Sequence, residues 1–243
     1  MPDLGLFETS TLLAMLLIFM GSFVQTTIGF GLAIVSAPLL FHISHDYIPG
    51  PISLVGLFIS LITAFKYRKN IGIGGLKLAL YGRIPGSMVG GGILLYVSAS
   101  MLSIGLGAFV LLAVLVSALP FRIAPTPKRM LVAGFLSGFM GTSSGIGGPP
   151  MALLLQHQEA NNLRGNLSAF FVFSAVISLT VLAVVGRFTL MHVWLALPLI
   201  PVAFLGYWVA MRTVDYVSKE WMRRISLVLC LVSGSYAIWQ GLS

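Results

Sequence analysis

The sequence predicts an all-α integral membrane protein: an inverted-repeat helical bundle of about eight transmembrane helices plus two broken, re-entrant helical hairpins. Three observations predict it. The chain of 243 residues is 58% hydrophobic and 8% charged, with a mean hydropathy of +1.01, a composition no soluble domain has. Its charges fall between long apolar runs, and a glycine-rich motif near residue 25 recurs 116 residues later.

The charge-free runs are Thr9 to His45, Tyr47 to Phe65, Ile84 to Phe121, Met130 to His157, Gly165 to Gly186, Phe188 to Met211 and Ile225 to Ser243. A spanning helix takes about 20 apolar residues, so most runs hold one span or two. The chain opens with Asp3 and Glu8 and has no basic stretch before its first apolar run, so that run is expected to stay as a span rather than be removed as a signal peptide. The net charge of +8 does not point to nucleic acid, because the basic residues flank spans instead of lining one soluble face. Lys66, Arg68, Lys69 and Lys77 form one cluster, Arg122, Lys128 and Arg129 a second, and Arg212, Lys219, Arg223 and Arg224 a third. The positive-inside rule puts all three in the cytoplasm. Cys230 is the single cysteine, which excludes an intramolecular disulfide.

The 116-residue offset pairs Phe23 with Phe139, Thr26 with Thr142, Gly29 with Gly145 and Gly31 with Gly147. It also pairs Ile84 with Ile200, Pro85 with Pro201 and Gly90 with Gly206, and an offset of 120 aligns Tyr96-Val-Ser98 with Tyr216-Val-Ser218. The chain therefore divides into a first repeat (1–120), a cytoplasmic linker (121–127) within the proline-containing stretch PFRIAPTPKR, and a second repeat (128–243) of one membrane domain. Each pass changes sides. Helices over 47–65, 72–97 and 99–119 then run opposite to their counterparts over 162–185, 190–211 and 219–239, which makes the repeat inverted, and both termini fall in the periplasm.

For the passes to close, the segment ahead of each triplet must enter and leave on one side. Met130 to about Gln158 is too short for two spans and too long for one, and it contains GTSSGIGGPP, residues 141–150. Glycines and prolines at that density break a helix. The first copy, Thr11 to about Ile43, breaks at Ile28-Gly-Phe-Gly31, with Pro38 further on. Two hairpins fit; a single broken helix per half fits the same charge pattern.

Broken backbone at membrane depth belongs where it is buried in protein or lines a cavity. Helices restarting after Gly31 and after Gly147 and Gly148 would aim free amides and a positive dipole end at such a point, with Gln25, Thr26, Thr27, Thr142, Ser143 and Ser144 as further donors and Gly29 and Gly145 within the breaks. That inventory suits a small anion. The copies differ, since Leu32, Ala33 and Ile34 stand where the second has Gly148, Pro149 and Pro150. Arg83, several residues into its helix, serves either an anion or the interface as a snorkelling side chain, and Arg164 and Arg187, which lie nearer loops, are read chiefly as snorkelling side chains. No carboxylate lies deep in an apolar run, so a cation substrate has no counter-ion. His42, His45, His157 and His192 are the side chains that titrate near neutrality, and His157, which follows the second break, is the candidate for proton coupling.

These motifs, TTIGFG and TSSGIGGPP with the shared proline and glycine of the later helix pair, are similar to those of the sulfite exporter TauE/SafE family from about Leu12 to Ser235. The resemblance implies transport of sulfite, sulfonates or sulfoacetate, or organic acids, across the bacterial inner membrane, with the glycine-rich segments at Gln25 to Gly31 and Gly141 to Pro150. Secondary transport is expected because the chain has no P-loop, and an anion channel using the same hairpins as a filter is the alternative. No cofactor, no metal and no catalytic residue is expected, as the chain has neither an HExxH motif nor a nucleophile with a nearby acid. The expected partners are the anion and membrane lipid. Transporters of this size often form homodimers, and the sequence assigns no surface to one.

Overall fold

The computed structural model describes residues 9–118, 124–214 and 219–242. Among these the chain is helical throughout, apart from its connections. In order the helices are α1 (Thr9–Ile28), α2 (Leu32–Ile43), α3 (Gly50–Lys66), α4 (Ile73–Ile93), α5 (Ala99–Ala118), α6 (Pro127–Ser144), α7 (Pro149–Leu155), α8 (Ala160–Val184), α9 (Leu190–Ala196), α10 (Leu199–Thr213) and α11 (Lys219–Leu242). Part of the expected linker, 121–123, lies outside the described residues, as do Tyr216-Val-Ser218 and the terminal residues 1–8 and 243.

Local chemistry explains the boundaries. Pro127 opens α6 where its missing N–H is harmless, and Thr126 caps that helix by accepting from the Arg129 amide at 3.5 Å. Thr189 and His192 form a capping box on α9, in which His192 Nδ1 takes the Thr189 amide at 3.1 Å. One expected element divides: the helix expected over 190–211 is interrupted at Leu197 and Pro198, where the proline cannot donate to the preceding turn.

Both expected breaks are present, and the chain turns back on itself at the first. Gly29 and Gly31 have φ of 104° and 127°, and Gly145 has 80°, conformations that a side chain would strain. After the first break α2 folds antiparallel onto α1: Ser36 Oγ donates to the Leu17 carbonyl at 2.7 Å, while Leu32, one turn earlier, packs against Gly21. At the second, Ser137 on α6 donates to the carbonyl of Gly147.

Packing pairs elements from the two halves of the chain. α4 lies along α6 and α10 along α1, while α3 packs on α8 and α5 on α11. The α4–α6 contact is the tightest, because Gly82, Gly86 and Gly90 present one bare face to the backbone of Leu131, Phe135 and Phe139, and Gly134 and Gly138 return it against Ala79 and Arg83. Small residues four apart let helix backbones touch. The α1–α10 contact has Gly206 against Phe19 and a bond from Ser22 Oγ to the Ala203 carbonyl at 2.6 Å.

Two apolar cores result. One gathers Ile18, Leu40, Ile52, Ile59, Leu106, Ile146 and Leu199, chiefly from α1, α2, α3, α5 and α10; the other gathers Leu76, Ala133, Met151, Leu167 and Phe170 from α4, α6, α7 and α8. Each core draws on both sequence repeats. The outer surface is apolar as well: Leu16, Phe65, Met88, Phe173, Val184 and Trp239 are exposed, as a lipid-facing surface requires. Among the described residues, four segments suffice by length and composition to cross a membrane: Thr9–Ile28, His45–Lys66, Ala160–Val184 and Leu190–Thr213. Lys77, Arg83 and several glycines lower the hydropathy of α4.

Candidate functional site

Between the two cores lies a cavity of about 80 Å³. One wall comes from α1, α2 and α3, with Gln25, Gly31, Leu32, Ile34, Ile52 and Ser60. The facing wall comes from α4, the second break and α8, with Arg83, Gly145, Gly147, Gly148, Ser174 and Ser178. Both breaks thus reach the same space. A larger cleft of about 610 Å³ outside α3 and α8 is lined by Leu61, Ile62, Ala64, Phe65, Ile71, Ala169, Val172 and Phe173, none of them polar.

Arg83 is the charged side chain in the cavity wall, and it is 3% exposed. Burial of a guanidinium is costly unless its donors are engaged. Nη1 donates to Ser137 Oγ at 2.8 Å, and Nη2 donates to Ser178 Oγ at 2.9 Å and the Ser174 carbonyl at 3.3 Å. The Phe170 ring lies 5.6 Å from the guanidinium carbon. Glycines leave room for this group: a Cβ on Gly141 would stand 2.8 Å from Nη2, and one on Gly147 would stand 3.1 Å from Nη1 and 2.8 Å from the Ser137 carbonyl. Ser137 accepts from Arg83 and donates to Gly147, so the arginine is tied to the second break. No carboxylate answers its charge among the described side chains, where Asp46 and Glu159 are exposed at helix ends. Arg83 Nε, Ser87 Oγ and Ser174 Oγ are buried without a hydrogen-bond partner.

The residues singled out from the sequence separate into two groups. Gln25, Gly31, Arg83, Gly145, Gly147 and Gly148 line the cavity, and Gln25 Nε2 donates to Ser60 Oγ at 3.4 Å. Thr142 stands behind the wall, 2.8 Å from Ser178 Oγ. The other hydroxyls turn back on their own helices: Thr26 to Ser22 at 2.8 Å, Thr27 to Phe23 at 3.0 Å, Ser143 to Phe139 at 2.7 Å and Ser144 to Met140 at 2.7 Å. Such bonds satisfy a serine or threonine inside a helix without any ligand. Gly29 packs against Leu167 and Arg164 of α8, and His157 is exposed in the turn after α7, so neither lines the cavity.

Sequence reasoning missed two features. Arg164, read as a snorkelling side chain near a loop, is 6% exposed, and its Nε and Nη2 donate to the Thr27 carbonyl at 3.2 and 2.7 Å. It caps the end of α1 at the first break. Arg187 sits at a helix end, donating to the Leu94 carbonyl at 2.6 Å. The second feature is a pair of small-residue stripes: Ser53, Gly56 and Ser60 on α3, and Ser174, Ala175 and Ser178 on α8, all lining the cavity. A signal was available, since Ile59-Ser60-Leu61 recurs as Ile177-Ser178-Leu179 and the spacing puts each stripe on one helix face.

The arrangement is a cation with hydroxyl and glycine backbone neighbours in an otherwise apolar chamber, and among the described residues no His, Cys, Asp and Glu gather to hold a metal ion. In the comparison with protein families, residues 13–237 match the family described as Sulfite exporter TauE/SafE, nearly the whole chain. No curated protein and no solved structure matches.

Proposed function

The chain belongs to the sulfite exporter TauE/SafE family, and from that premise we propose that it is a secondary transporter that moves one small sulfur-containing or organic anion at a time across the bacterial inner membrane. The observation that carries this reading is Arg83, a buried guanidinium with no carboxylate partner among the described side chains, at a cavity where both helix breaks meet. A cation in that position is stabilised when an anion joins it. Sulfite, sulfonates and sulfoacetate are the candidate substrates.

Alternating access requires two bodies that rock about the site. The two apolar cores on either side of the cavity support that motion, with α4, α6, α7 and α8 as one body and α1, α2, α3 and α10 within the other. The repeat is inverted and the basic clusters are cytoplasmic in this reading, with α5 and α11 completing the spans. An inside-negative potential favours export, by about 2.3 kcal/mol for each unit charge per 100 mV.

Proteoliposome counterflow tests the proposal. Vesicles loaded with unlabelled sulfite should transiently accumulate external labelled sulfite, and Arg83→Gln should abolish the overshoot. Flux without an overshoot would identify an anion channel instead. A wild-type protein that moves no sulfite, sulfonate or carboxylate would overturn the transport reading.

A further inference from the structure

We propose that the cavity accepts an oxoanion of single negative charge, held by Arg83 Nε–H and the Ser174 hydroxyl, and discriminates against the doubly charged form of the same shape. This rests on the anion-transport reading and specifies its ligand.

A guanidinium has five N–H donors. Three of those on Arg83 are engaged by Ser137, Ser178 and the Ser174 carbonyl. Nε is buried with no acceptor, and so is the hydroxyl of Ser174, on the helix whose carbonyl binds the same guanidinium. Most buried polar atoms in folded proteins are paired, and an orphan needs a reason. Three such groups are present among the described residues, and two of them, Arg83 Nε from α4 and Ser174 Oγ from α8, belong to residues that line a single cavity, while the third, Ser87 Oγ, does not. Both atoms are buried in this conformation, so the two side chains must turn toward the cavity for two oxygens of one oxoanion to satisfy both.

Charge then sets the preference. Every other residue lining the cavity is neutral, and Ile34, Ile52, Ile146 and Phe171 make much of the wall apolar. An anion of charge −1 leaves a neutral complex in this low-dielectric chamber, whereas −2 leaves an uncompensated charge that burial penalises. Size agrees: about 80 Å³ is roughly half the ~150 Å³ apolar cavity that admits benzene. Such a volume suits an oxoanion of few heavy atoms. For sulfur(IV), the bound species is hydrogensulfite rather than sulfite, and among the candidate substrates the charge preference disfavours sulfoacetate, which carries two negative charges.

Perchlorate and sulfate separate charge from shape, being tetrahedral XO₄ ions of charge −1 and −2. Calorimetric titration of the purified full chain at constant ionic strength should give perchlorate at least tenfold tighter than sulfate. Ser174→Ala should weaken perchlorate about tenfold, the loss of one hydrogen bond, and keep the order. Arg83→Lys should weaken both ions and also keep the order, and Arg83→Gln should bind neither. Sulfate binding as tightly as perchlorate to the wild-type protein would overturn the charge preference while leaving an anion site intact. Unchanged perchlorate affinity in Ser174→Ala would remove Ser174 from the site. Failure of perchlorate, sulfate and hydrogensulfite alike to bind the folded wild type would overturn this inference, and the anion-transport reading would fall with it only if counterflow of sulfonates and carboxylates also failed.

Discussion

The two helix breaks share a motif and an orientation toward one cavity, yet they are provisioned differently. At the first, α2 resumes with Leu32, Ala33 and Ile34, whose amides open a helix of twelve residues beside the cavity. At the second, α7 resumes with Pro149 and Pro150, which have no N–H to offer. An arginine compensates. Arg83 reaches the second break through Ser137, while the 116-residue counterpart of Arg83 is Leu199, buried in the first core. The first break has an arginine too, but Arg164 is engaged at the Thr27 carbonyl, behind the cavity wall. The two halves thus share a broken backbone, and the charge at the cavity lies on one side. The first break is a source of dipoles and the second a source of charge.

Substitutions can break or sharpen that contrast. The largest effect should come from the glycine seam that presses α4, and with it Arg83, onto α6. Gly86→Val drives a branched side chain into the Phe135 backbone and should cost about 3 kcal/mol or more, read as loss of monodisperse protein in detergent. Next, Arg164→Gln removes the cap from α1 and should lower unfolding stability by about 2 kcal/mol, while anion affinity stays within about twofold. A large loss of affinity from a stable Arg164→Gln protein would make the first break a charged site as well. Gly145→Ala should cost about 1–2 kcal/mol, since φ is +80° and the new methyl group would press on Ile52. The smallest effect belongs to Ser143→Ala, whose hydroxyl bonds to its own helix; stability and anion affinity should both remain within about 0.5 kcal/mol.

Much of the architecture was legible because membrane constraints are strict. Expected breaks at Ile28–Gly31 and within 141–150 agree with interruptions at 29–31 and 145–148, since glycines and prolines have few alternatives at that depth. Lateral packing was not legible. Charge patterns order helices along the membrane normal and say nothing of neighbours, so the pairing of α4 with α6 and the mixing of both repeats in each core had no signal in them. The site was partly legible. A glycine-rich break announces itself, whereas Ser60, Ser174 and Ser178 look like ordinary serines until their helices face one another. Thr26, Thr27, Ser143 and Ser144 show the converse, because residue type alone does not reveal whether a hydroxyl is already engaged by its own turn. Arg164 reads as a snorkelling side chain from its position near a loop, four residues into α8, yet the carbonyl that engages it lies 137 residues earlier in the chain.

The most direct test of the central claim, that the charge at the second break holds the anion, is calorimetric binding of sulfite at neutral pH to purified wild type, Arg83→Gln and Arg164→Gln, each confirmed as folded. The account predicts a loss of at least about a hundredfold in affinity for Arg83→Gln, matching removal of a charged hydrogen-bonding partner, and near wild-type binding for Arg164→Gln. Unchanged binding in a folded Arg83→Gln protein would contradict it.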